Sequence, residues 1–247
     1  MKALKSKIIR DKSGEEQIAE IGMLGGKHEF SQTQDLHQLV VDSLGPDEKE
    51  FLLPKSESYF QKMFKGEAGY TIGVKINDQL VAKSVITLPK SGDLENGLEG
   101  IRTPVENDKI AVFESDVVHP DWRGLGLNKW MTAYREQVAR DLGKTNVLSQ
   151  IYYNNIANIH AHMKNGMQII DAIYYPEDNA PIFYLNGNLY SVEENWDCGR
   201  HGISIISIDA GFDEFRELID QGLIGINVEA RNIIFCCQRQ MAYQRSA

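Results

Sequence analysis

The chain has 247 residues with a formal net charge of −9 and three cysteines. That length suits one large domain, or an ordinary domain with an appendage. The charge argues against a general nucleic-acid binder, and three cysteines are too few for a disulfide framework. No apolar run approaches membrane-spanning length, and the opening "MKALKSKIIRDKSGEEQ" lacks the apolar core of a secretory signal. Reduced thiols in a cytoplasmic protein are therefore expected.

Residues 1–30 read as an irregular start or hairpin, with "KIIR" and "QIAEIGML" flanking the turn-like "DKSGEE". Ser31 and Gln34 form a capping-box pattern ahead of Leu36, Leu39, Val40 and Leu44, which predicts a helix ended by Gly45-Pro46. A short helix over 56–65, stopped by Gly66, precedes a hairpin of "YTIGVKI" and "QLVAKSVITL" about Asn77-Asp78. Residues 89–108, with five acids against two bases, read as an exposed loop.

A strand follows in "KIAVFESDVV", then the stretch "VVHPDWRGLGLNKWM". Apolar residues from Leu127 to Leu142 step by three or four, predicting an amphipathic helix ended by Gly143. "NVLSQIYY" is a strand, 155–165 a helix stopped by Gly166, and "MQIIDAIYY" and "PIFYL" two further strands. The tail reads as a strand ("GISIISI"), a helix ("FDEFRELIDQ") and a hairpin ("LIGINV" with "NIIFCC"). "GLIGINVEARNII" echoes "GYTIGVKINDQLV", so the tail is a candidate incomplete second copy of one helix–hairpin unit.

Two glycines before a helix suggest a phosphate site, and three readings compete. A P-loop requires G-x-x-x-x-G-K followed by Ser or Thr, which fails after Gly126. A Rossmann fingerprint requires a third glycine where Lys129 stands. The third reading uses backbone N–H groups of Leu125, Gly126, Leu127 and Asn128 at a helix N-terminus, with Gly124 and Gly126 admitting close approach and Arg123 adding charge.

This third pattern resembles the acyl-CoA-binding signature of the GNAT superfamily of N-acetyltransferases, through Arg123, Gly126 and, with a departure in residue type, Asn128. "NNIANIHAHMKNGMQII" resembles a second segment of that family, with Asn155 and Asn158 at cofactor-side places and Gly166 at the glycine. The resemblance is strongest over 108–173 and does not extend to 188–247. It implies an α+β fold: a central mixed, mostly antiparallel sheet with helices on both faces, plus a small C-terminal α/β extension. The implied division is an N-terminal segment 1–30, a catalytic domain 31–187 and an extension 188–247. The implied cosubstrate is acetyl-CoA, with backbone groups of Val117 and Val118 meeting its pantetheine arm.

N-acylation by direct attack needs a deprotonated amine, and an alkylammonium of pKa about 10 must lose a proton first. Glu114 and Asp116, two apart in a strand and so expected on one face, are the candidate base and amine-orienting residue. His162 stands where the family commonly has a tyrosine acid. With Asn155 and Asn158 it shares one helical face beside an apolar one. His160 and His162 diverge, so no metal pair is expected.

The leading function is transfer of an acetyl group to a primary amine, on a small molecule or a lysine-bearing substrate. The acidic balance and the acidic loop favour a cationic acceptor. A non-catalytic acyl-CoA sensor is the alternative; no nucleic-acid or membrane partner is expected, and a homodimer is left open.

Overall fold

The structure, a computed structural model, describes residues 2–52, 56–89, 98, 101–190, 203–237 and 244–245. Cys198 lies outside these residues, as does half of the expected exposed loop over 89–108; in the other half Leu98, Ile101 and Thr103 are buried and Arg102–Thr103 forms a strand, which corrects the expectation of an exposed loop there. In chain order the elements are β1 (Lys2–Arg10), β2 (Glu16–Met23), α1 (Lys27–Ser43), α2 (Glu57–Phe64), β3 (Gly69–Ile76) and β4 (Gln79–Thr87). There follow β5 (Arg102–Thr103), β6 (Ile110–Val118), α3 (Leu127–Asp141), β7 (Asn146–Tyr152), α4 (Ile156–Met163), β8 (Gln168–Tyr175) and β9 (Ala180–Asn188). The last are β10 (Ile203–Ser207), α5 (Phe212–Asp220), β11 (Leu223–Glu229), β12 (Asn232–Cys237) and β13 (Gln244–Arg245). The class is α+β, and every described strand pair within the two units below is antiparallel.

The chain divides into two compact units, 1–88 with 112–142 and 89–111 with 143–247. In the first, strands run in the order β1-β2-β3-β4-β6. The β3–β4 hairpin closes through Asn77 and Asp78 at φ 49° and 65°, the paired left-handed geometry that suits a two-residue hairpin. Its strands are buried almost throughout, because helices cover both sheet faces. Lys83 reaches the Phe60 ring on α2, while Arg135 of α3 lies over Phe113 of the neighbouring strand. Leu24, Leu36, Val40, Leu80 and Val117 form the apolar cluster beneath α1.

Helix α1 begins five residues earlier than the Ser31 pattern predicts, with Gly26 at the cap position. Glu29 Oε2 accepts from the amides of Gly25 and Gly26, at 2.9 and 3.0 Å, and so caps the helix from inside its first turn. Its other oxygen meets Lys75 Nζ at 3.0 Å, a pair almost wholly buried. A Gly-Gly dipeptide hid that start from a reading that looked for a hydroxyl cap.

The second unit has the order β7-β9-β8-β11-β12-β10, and β5 pairs with β13 separately. Tyr153, Phe183, Phe212, Phe215 and Phe235 form its aromatic cluster. The strand–helix–hairpin tail is as predicted, with α5 followed by the antiparallel β11–β12 pair. The expected second copy extends only to helix and hairpin. The leading strand β2 pairs with the first hairpin strand β3, whereas β10 pairs with the second, β12.

Cys236 and Cys237 do point apart, one fully buried and the other half-exposed. Cys237 is a free thiol. No helix among the described residues is long and apolar enough to cross a membrane.

Candidate active site

The site builds on one irregularity in β6. Lys83 of β4 pairs with Val117 and Val85 pairs with Glu114, so two β6 residues oppose Ser84 alone. The extra residue makes a β-bulge, and Ser115 takes φ 57° within a strand. The bulge corrects the expectation that Glu114 and Asp116 share a face. Glu114 accepts from Tyr59 Oη of α2 at 3.1 Å and from Thr87 Oγ1 at 2.6 Å. Asp116 instead faces α3, where both its oxygens accept from Arg135 at 2.6 Å.

Sequence reasoning missed Tyr59, Thr87 and Arg135. Burial, and then the negative charge of Glu114, push the Tyr59 phenol well above its ordinary pKa, so it stays a donor to that carboxylate. Oε2 thus accepts from Tyr59 and Oε1 from Thr87, and a carboxylate oxygen is of the type that accepts a proton or an ammonium N–H.

Beyond β6, a short 3-10 turn over Pro120–Trp122 is capped by His119 Nδ1, which accepts from the amide of Asp121. Gly124 and Gly126 follow at φ 84° and 71°. A Cβ at either would meet nothing within 4 Å, so the backbone conformation and not crowding asks for glycine. Helix α3 starts at Leu127 with no side-chain cap on its first amides. The N–H groups of Leu125, Gly126, Leu127 and Asn128 find no backbone acceptor among the described residues. Asn128 Oδ1 is buried without a partner.

An open, left-handed turn with uncapped amides at a helix N-terminus fits an anionic group. Arg123 currently bonds back to the Val118 carbonyl and Ser43 Oγ, both at 3.2 Å. Val117 is buried in the α1 cluster, so its side chain is core.

Asn155, Asn158 and His162 belong to the second unit. Asn155 caps α4 by accepting from the amide of Asn158. His162 is 5% exposed, and its Nδ1 lies 2.9 Å from the Asn158 carbonyl. A carbonyl only accepts, so that nitrogen carries a proton. The expected polar stripe therefore turns its histidine inward, beside Ile159 and Met163. No group of three or more metal-ligating side chains occurs among the described residues.

The sequence model of the GNAT acetyltransferase family matches residues 34–167, more than half of the chain. The chain belongs to that family. It is accordingly an N-acetyltransferase enzyme of the GNAT type, a family that uses acetyl-CoA and acts on amine substrates, proteins included.

Solved structures agree in fold. A probable acetyltransferase from Staphylococcus epidermidis superposes with a TM-score of 0.52 at 14% identity, over 69% of this chain and 98% of that one. The GNAT domain of S. lividans PAT gives 0.52 at 12%, over 74% and 96%. The putative acetyltransferase yncA from Salmonella typhimurium, solved with its cofactor acetyl-CoA, gives 0.50 at 13%, over 73% and 99%. No curated protein sequence matches the chain.

Proposed function

We propose that this GNAT enzyme, acting within residues 31–187, takes its acyl group from acetyl-CoA held at residues 123–128 and passes it to a primary amine by direct attack. The thioester supplies an activated acyl group, and the protein's own residues do the rest. The amides of Leu125 to Asn128 hold the diphosphate, as helix N-termini hold anions. Arg123 supports them on releasing its present bonds. Backbone groups of Val117 and Val118 receive the pantetheine arm. Glu114 takes the amine's proton, directly or through water, and solvent protonates the departing thiolate.

The observation that carries this reading is the setting of Glu114. It is a half-buried carboxylate, fixed by two donors, on the strand that runs into the uncapped turn. A module that only sensed acyl-CoA would have no use for it. The carboxylate and the overall negative charge favour a cationic acceptor such as a polyamine or lysine.

The test compares wild type with Glu114→Gln, using acetyl-CoA and a panel of spermidine, lysine, glucosamine and neutral amines. Turnover falls by about 10²–10⁴-fold while coenzyme A affinity is retained. Unchanged turnover would move the base elsewhere. Reaction with neutral amines alone would overturn the cationic acceptor.

A further inference from the structure

We propose that Arg135 is a positioning residue that aims Glu114, by clamping the β6 bulge through Asp116. The inference rests on Glu114 being the base.

Ser115 occupies a left-handed conformation that L residues avoid, and such a state persists only where its surroundings over-determine it. Two clamps do so. From the α2 face, Lys83 Nζ donates to Ser115 Oγ at 3.3 Å. From the α3 face, Arg135 grips Asp116 with two parallel bonds of 2.6 Å and holds Thr132 Oγ1 at 3.3 Å. Its guanidinium also lies 4.4 Å over the Phe113 ring. Arg135 has no exposed side-chain surface, whereas Asp116 keeps 15% of its own. A planar fork on both carboxylate oxygens sets direction as well as distance.

The clamp therefore fixes the residues on both sides of Ser115. Phe113 is held by stacking and Asp116 by the fork, so the intervening backbone must present Glu114 to Tyr59 and Thr87. A buried ion pair adds little stability over an apolar pair of the same size. A fully buried guanidinium is better explained by the direction it enforces.

Arg135 also stands on the helix whose first turn is the proposed diphosphate site, eight residues or about 12 Å along its axis from Leu127. One rigid element thus carries both the donor-holding amides and the clamp that aims the base. Charged and titratable groups around the bulge include Lys83 from β4, Tyr59 from α2, and Asp116 with Arg135. Tyr59 and Thr87 donate to Glu114, so a displaced Glu114 loses those donors.

The test uses the full chain with Arg135→Lys, which keeps charge and stem but not the fork. Thiol release from acetyl-CoA is followed with the best amine of the panel, or with water alone as acceptor, per folded molecule. The expected result is a kcat lowered about 10- to 100-fold, with KM for acetyl-CoA unchanged and the acidic limb of the pH–rate profile displaced. Asp116→Asn gives the same signature and serves if Arg135→Lys does not fold.

A merely structural role would lower the folded fraction and leave kcat and that limb where they were; this outcome overturns the proposal. Glu114→Gln is run alongside. If it is inactive while Arg135→Lys behaves as wild type, only the positioning role fails. If it is fully active, the reading of the base fails and takes this inference with it.

Discussion

The two helix–hairpin units, α2–β3–β4 and α5–β11–β12, share a local grammar and differ in what surrounds them. Each has a short helix, a glycine stop in the left-handed region and an antiparallel pair. The first hairpin is buried on both faces. The second alternates between buried and partly exposed residues, with Phe215 of α5 stacked on Phe235 of β12. Burial on both faces is what allows the first unit to carry polar groups to a low-dielectric place, where Tyr59 and Thr87 engage Glu114. The second buries aromatic side chains instead. The comparison teaches that the shared pattern specifies a scaffold, while the chemistry comes from the polar side chains that a doubly covered sheet forces to find partners.

The sharpest way to break this contrast is to damage the tail without touching the bulge. Phe215→Ala should destabilise the protein by about 3–5 kcal/mol in urea unfolding, with turnover per folded molecule unchanged. A specific loss of kcat would give the tail a catalytic part.

In the first unit, Glu29→Gln leaves Lys75 buried without its anion and should cost roughly 3–5 kcal/mol near neutral pH. Burial alone would raise the Glu29 carboxyl; the Gly25 and Gly26 amides and Lys75 overcome this and hold it at about 2, against 4.5 ordinarily. A depressed folded-state pKa contributes stability that is complete above 4.5 and is lost as pH falls towards 2. The gap between wild type and variant should therefore close across that window. A gap independent of pH there would contradict the assignment.

Gly126→Val places a Cβ where nothing lies within 4 Å but must hold a positive φ. We expect a stability cost of roughly 1–2 kcal/mol and a larger loss of coenzyme A affinity, read by calorimetry. At the small end, Arg231→Ala removes an exposed pair with Asp209 in the turn of the second hairpin region and should leave the melting temperature unchanged.

Much of this was legible in the chain's periodicity and punctuation. The β3–β4 hairpin, the α3 stripe of Leu127, Met131, Tyr134 and Val138, and the helix–hairpin tail all follow from local pattern. The glycine turn was legible because its backbone needs are local. The bulge was not, since it exists only in the register of β6 against β4, and it sends Asp116 to the opposite face from Glu114. Tyr59 and Thr87 are 55 and 27 residues from Glu114, beyond any spacing argument. Arg135 did leave a signal: it falls four after Met131 and three before Val138, on the buried face of α3. A charge there demanded a buried counter-ion.

The account stands most directly on titration calorimetry of the intact chain with coenzyme A and acetyl-CoA, beside Gly126→Val. It predicts a single site for both ligands in the wild type and a marked loss in the variant. Heats no larger than dilution, or equal affinity in the two proteins, would contradict it.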